Sequence, residues 1–261
     1  MHKALKWRPL VIRAVFFCLT VMILTQCKAP EKPSVVLGLD DYRESHEENF
    51  QNALLLAEEV QELLKKNHFR NPGFATAIVF PELMRYSQLR DRIETAATSM
   101  LYSSGTSFLN CSIGYCQMKP LFLVDIEKRI AASPELKLKY SVIDFGGMSD
   151  NFEVRRARVQ RARDISSQIF YLEAFIDIAM EKYDLSGKDQ LYCLKILSTL
   201  YNLGVGYSLE SMEEISNLPS FPNGLGHSRS RWSYSRIALD YYQNIYNKST
   251  ESRDKGVQLT E

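Results

Sequence analysis

Three short segments of this chain hold residue types that could do chemistry together. Glu82 stands in Val79-Phe80-Pro81-Glu82-Leu83-Met84, a carboxyl among apolar neighbours. Burial in such company disfavours the charged form and raises a carboxyl's pKa. An acid that stays protonated near neutral pH can give its proton to a leaving glycosidic oxygen while the sugar becomes oxocarbenium-like. Taken alone, the window also fits a glutamate on the exposed face of an amphipathic helix. Further along, Phe108-Leu-Asn-Cys-Ser-Ile-Gly-Tyr-Cys-Gln-Met-Lys-Pro120 gathers small residues, a glycine and a Gln-Met pair. Further still, Leu197-Ser-Thr-Leu-Tyr-Asn-Leu-Gly204 closes a helical pattern with a tyrosine and an asparagine. His2, His46, His68 and His227 stand apart without metal-ligand spacing, and no cysteine spacing suggests zinc, so no metal site is expected.

The elements that must position these residues are mostly helical. Asp40 and Asp41 can cap a helix running to Lys66, with Phe50, Leu54, Val60, Leu63 and Leu64 on one face. Asn71-Pro72-Gly73 marks a turn. Residues 74–104 predict two helices parted near Tyr86-Ser87, and 108–118 is the best place for a small strand or hairpin. Pro120 opens a helix to Ala132, and 140–149 reads as a loop around Gly146-Gly147. One long helical pattern covers Phe152–Tyr183. Another runs from Asp189 to Leu203 with Gly204 as its C-cap. A Gly/Ser/Pro-rich stretch, 205–230, precedes a last helix from Trp232 to Tyr246. The fold class expected is mainly α, with a minor β element and no internal repeat. Arg155, Arg156, Arg158, Arg161 and Arg163 could bind an anionic glycan or lipid, or simply form a solvated helix face.

The 261 residues are 45% hydrophobic and 24% charged, an ordinary globular balance. Net charge is +1, but Lys3, Lys6, Arg8 and Arg13 all lie at the N-terminus. Without them 28 basic residues face 31 acidic ones, a net of −3, which excludes a strongly basic nucleic-acid footprint. Those four basic residues lead into an apolar run, Ala14 to Thr25, that is shorter than the roughly 20 residues a membrane-spanning helix needs. It reads as a signal peptide over 1–26. The run stops at Leu24-Thr25-Gln26-Cys27, which resembles a bacterial lipobox with Cys27 as the lipidated residue. A plain secretory signal or a short anchor is the competing account. Residues 27–39, with two prolines and mixed charge, form a tether; 40–247 form one domain and 248–261 a flexible tail. Cys111, Cys116 and Cys193 remain as one disulfide plus a thiol, or as three buried thiols.

Order and content of the three segments resemble the active-site parts of the lytic transglycosylase and goose-type lysozyme superfamily. In that family a glutamate at a helix end is followed by a small-residue, Gly, Gln-Met-x-Pro segment and then by a helix ending in Tyr-Asn-x-Gly. By resemblance Glu82 is the catalytic acid, and Ser112, Gly114, Gln117 and Met118 line the glycan cleft. Tyr201 then orients Glu82 and holds its proton, with Asn202 beside it. Tyr234 takes the place of a late cleft tyrosine, unless it and Trp232 anchor the last helix. Departures are Leu83 where serine is usual, Pro81, Tyr115, Cys116, Leu203 and a helical insert from Arg90 to Ser107.

The resemblance implies a lysozyme-like fold, a helical bundle around a cleft with a small β element. It implies an exported enzyme cutting the β-1,4 bond between N-acetylmuramic acid (MurNAc) and N-acetylglucosamine (GlcNAc) in peptidoglycan. Glu82 would act first as acid and then as base, leaving 1,6-anhydro-MurNAc ends without cofactor or second carboxylate. Its partners would be glycan strands and, through a lipid anchor, the membrane of a bacterial envelope; no nucleic acid is implied. If Asp91 or Glu94 holds a water across the cleft, goose-type hydrolysis is the alternative. A non-catalytic glycan-binding or scaffold lipoprotein is a third reading.

Overall fold

Apolar residues recurring at helical spacing dictate most of what forms. The structure, a computed structural model, describes residues 37–105, 111–204, 206–223, 225, 227 and 229–248, without the side chains of Leu89 and Arg90. The signal segment, Cys27, the tether to residue 36, the tail from 249 and the start of the second motif (106–110) lie outside the described residues.

Among the described residues there are eleven α-helices: α1 (Leu39–Ser45), α2 (Glu47–Lys66), α3 (Pro72–Arg85), α4 (Gln88–Leu101), α5 (Pro120–Ala132), α6 (Pro134–Lys139), α7 (Phe152–Arg163), α8 (Ile165–Lys182), α9 (Gln190–Leu203), α10 (Leu209–Ile215) and α11 (Tyr234–Tyr241). A π-helical turn, Tyr242–Tyr246, continues α11. The chain is thus mainly α. No strand occurs among the described residues. The expected hairpin is a single antiparallel bridge, Ile113 with Met118, around a tight turn; Phe221 and Leu37 each bridge to Trp232.

Two long predicted helices are each broken in two. His46, at φ −146, separates α1 from α2. Asp164 separates α7 from α8: it adopts extended backbone and its carboxylate accepts from the Ser167 N–H, the geometry of a helix N-cap. Two short helices were not expected: α6 lies between the predicted helix to Ala132 and the predicted loop from 140, and α10 lies inside the Gly/Ser/Pro-rich stretch. Ser133 and Ser208 cap them through side-chain oxygens.

The first half of the core is centred on α3, every residue of which from Gly73 to Met84 is buried. Asn71 caps it by accepting from the Phe74 N–H at 3.0 Å, and Pro72 occupies the first turn, where no N–H is needed. Around it pack α2, α9, α11 and α8. Phe80 stacks on Tyr241 at 3.9 Å. At Gly73 a Cβ would drive into the Tyr246 ring, so only glycine lets the terminal turn close over α3. Among the described residues no helix is long and apolar enough to cross a membrane.

Candidate active site

Glu82 lies in the last turn of α3, one residue after Pro81. Proline has no N–H to bond the Ala77 carbonyl, which loosens the helix just before the carboxyl. Glu82 is 7% exposed, among side chains that are almost wholly buried, so the exposed-face alternative fails. Arg85, one turn further on, places Nη1 3.3 Å from Glu82 Oε2.

The second segment is folded back on itself. Met118 N donates to Ile113 O and Ile113 N to Met118 O, both at 3.0 Å, which folds Gly114–Gln117 into a turn. Gly114 sits at φ +72, where a Cβ would also collide with the Gln168 amide and the Ala162 carbonyl. Gln117, at φ +51, donates from Nε2 to Gly114 O at 2.8 Å. Two residues outside the motif hold this turn. Asp91 Oδ1 accepts from Gly114 N at 2.6 Å. Gln168, fully buried on α8, accepts from Cys116 N at 3.0 Å and donates to Ile113 O at 3.2 Å and to the Ala162 carbonyl. Burial raises the Asp91 pKa, and its bond from Gly114 works against that rise.

Tyr201 comes from the C-terminal end of α9, its ring held by Phe122 and Phe175, each 5.4 Å away. Its hydroxyl donates to Cys116 O at 2.6 Å. Burial, with the charges of Cys116 and Glu82 nearby, pushes its pKa far up, so it stays a neutral donor. The hydroxyl has one proton, and it goes to the turn; the resemblance implied a hydroxyl that orients Glu82 and holds the carboxyl's proton. Burial, then Glu82, pushes the Cys116 thiol up to about 12. Asn202 donates to Ser220 Oγ at 3.0 Å.

Glu82, Ser112, Gln117, Met118, Tyr201 and Asn202 line one cleft of about 710 Å³, together with Arg85, Glu94, Lys119 and Arg129. Residues from three distant segments are thereby brought together. Gly114 and Tyr234 do not line it. Gly114 packs inward against Gln168. Tyr234 is 1% exposed, beside the Phe221 ring, and its hydroxyl has no hydrogen-bond partner. Burial and then Glu82 raise its pKa. Trp232 is also core, edge-on to Tyr42, so both rings anchor the last helix.

Three other features of the sequence have their place in the structure. Among the described residues no disulfide forms: Cys111, Cys116 and Cys193 are all thiols. No group of residues that could hold a metal occurs among the described residues. The arginine cluster is not wholly a solvated face. Arg158 is 4% exposed and bonds Glu127, Asp150 and Tyr102, while Arg161 lies over the Phe145 ring and donates to Ile143 O.

Sequence reasoning missed Arg85, Gln168 and the structural duty of Asp91. A buried polar residue opening the apolar face of α8 was the available signal for Gln168. The i, i+3 spacing on one helix was the signal for Arg85. Compared with family models, with curated proteins and with solved structures, the chain matches none.

Proposed function

We propose that the protein is a lytic transglycosylase, cleaving the MurNAc–GlcNAc β-1,4 bond of peptidoglycan with Glu82 as its single acid and base. The observation that carries this reading is the convergence of Glu82, Gln117, Met118, Tyr201 and Asn202 on one cleft. Glu82 in its acid form gives its proton to the leaving oxygen as the bond to C1 breaks. The resulting carboxylate then takes the proton of the muramic C6 hydroxyl, whose oxygen attacks C1 and closes the 1,6-anhydro ring. The acid is regenerated and no water is consumed. The lysozyme-like fold, the role of Cys27 as a lipid anchor and residence at the periplasmic side or outer membrane of a bacterial envelope belong to the same proposal.

Glu94 favours a second reading, because it lines the same cleft as Glu82. If it positions a water, the products carry reducing ends and the enzyme is a hydrolase. Asp91, engaged with Gly114, is the weaker candidate for that task. Digesting purified sacculi and separating the products decides between them. Anhydro-muropeptides support the proposal, and reducing ends alone overturn it. Lysis by the wild type but not by Glu82→Gln removes the scaffold reading.

A further inference from the structure

The pair formed by Glu82 and Arg85 conflicts with the first step of the proposed reaction. That step needs a protonated Glu82, whereas a guanidinium 3.3 Å away favours the carboxylate. Three groups near Glu82 carry no charge that could offset Arg85. Cys116 on the turn and Tyr201 and Tyr234 on α9 and α11 are neutral near pH 7 because burial raises all three. Glu94 on α4 adds negative charge to the cleft, and Asp125 and Arg129 on α5 pair with each other at 3.0 Å. Lys119, exposed at the start of α5, lies at the rim.

Arg85 is under-committed for a half-buried arginine. It holds Glu82 through Nη1, and its Nε is buried without a hydrogen-bond partner. Its side chain is 20% exposed and lines the cleft, so one guanidinium faces both the carboxyl and any ligand there. A planar guanidinium with donors unused is suited to a carboxylate taken in two-pronged fashion.

We propose that Arg85 is a positioning residue that reads a carboxylate on the glycan: a substrate carboxylate draws the guanidinium off Glu82, and Glu82 then takes up the proton it later donates. This deepens the transglycosylase reading and rests on it. The balance is simple. Before binding, Arg85 is cationic and Glu82 anionic. After binding, Arg85 pairs with the substrate carboxylate and Glu82 has gained one proton from solvent. Such a device arms the acid only when an anionic glycan, such as one with an uncovered lactyl carboxylate, occupies the cleft.

The test is calorimetry at pH 7 with the GlcNAc–MurNAc disaccharide, which lacks the scissile bond, and with its lactyl carboxamide, each in two buffers of different ionisation heat. Wild type is expected to bind the carboxylate about tenfold more tightly than the amide, as a charge-assisted bond in a partly enclosed site would give. It is expected to take up about one proton with the carboxylate and none with the amide. Glu82→Gln should keep the preference and lose the uptake. Arg85→Gln should lose both, and Arg85→Lys should restore part of the preference. Equal affinity for the two sugars, no proton uptake by wild type, or no binding of either sugar by the folded protein overturns the proposal. Sacculus digestion by the same samples is read separately. Absence of anhydro products overturns the reaction assigned to Glu82 while the calorimetry still judges Arg85.

Discussion

Among the described residues, Arg158 with Glu127 and Arg85 with Glu82 are arginine–carboxylate pairs largely shielded from solvent, and they are built in opposite ways. Arg158 on α7 meets Glu127 on α5 through Nε at 3.0 and 2.9 Å and Nη2 at 2.7 Å, while its Nη1 reaches Tyr102 at 2.6 Å and Asp150 at 2.9 Å. Tyr171 on α8 adds a bond to the same glutamate at 2.7 Å. Arg85 reaches Glu82 through one nitrogen at 3.3 Å, within a single helical turn. The first pair joins α5, α7, α8 and the end of α4, and its geometry leaves little to rearrange. The second links two residues of one helix, α3, three positions apart. Desolvating charges is costly, and only well-satisfied geometry offsets the cost. The saturated pair is therefore a structural joint, while the sparse one has the freedom to exchange partners that a reacting carboxyl needs.

The largest effect expected from breaking this contrast is on turnover. Glu82→Gln keeps the side chain's size and removes the transferable proton, so cleavage of sacculi should fall by about 10³-fold or more. The midpoint of thermal unfolding should move far less, because glutamine fills the same space and can still accept from Arg85 Nη1. A variant that keeps near-native activity would remove Glu82 from the chemistry.

Arg158→Met should do the reverse. It leaves the largely enclosed Glu127 carboxylate with the Tyr171 hydroxyl in place of its arginine, a loss of about 3–5 kcal/mol of stability for a broken ion pair. Urea unfolding would report this as a lowered midpoint with an unchanged slope. A loss below about 1 kcal/mol would mean that the network is not the joint its geometry describes.

Glu173 on α8 adds a third case, a buried carboxyl with no cation in direct contact. Its Oε1 has no hydrogen-bond partner, and burial is the main cause that raises its pKa from an ordinary 4.5 to about 7, against an Asn67 hydrogen bond and Lys139, and with Asp177 adding to the rise. The folded state therefore holds this proton more tightly than the unfolded chain. Stability from this group is fully present below about pH 4.5 and is lost as pH rises through about 7, by up to roughly 3 kcal/mol. Glu173→Gln should flatten that part of the stability curve between pH 5 and 8. A wild-type curve that rises over the same window would exclude the assignment.

Much of the helical frame was legible because burial imposes periodicity. The end of α9 at Leu203, the start of α5 at Pro120 and the break near Tyr86 follow from capping and proline rules that act locally. Asp164 and His46 were harder. Each interrupts an apolar pattern that continues on both sides, so periodicity alone does not reveal the change of helix axis. Glu82, Gln117, Met118, Tyr201 and Asn202 could be picked out by residue type and order, but not the partners that fix them. Asp91 and Gln168 bond the 113–116 turn across 23 and 52 residues, and a contact at that separation leaves no local pattern.

The smallest effect bears on the two tyrosines, which sharpen the comparison between the pairs. Tyr171 gives its hydroxyl proton directly to Glu127, whereas Tyr201, close enough to Glu82 to feel its charge, gives its proton to Cys116 O. Tyr201→Phe therefore strips a bond from the turn, leaving a buried carbonyl unpaired, at a cost of about 1–2 kcal/mol in stability. No bond links its hydroxyl to the carboxyl, so that cost should be the same in wild type and in Glu82→Gln. A double-mutant cycle of unfolding free energies measures this directly, with additivity expected within about 0.5 kcal/mol. A larger coupling would mean that Tyr201 holds Glu82 as Tyr171 holds Glu127. The cleft pair would then be a restrained joint like the other, with less freedom to change partners.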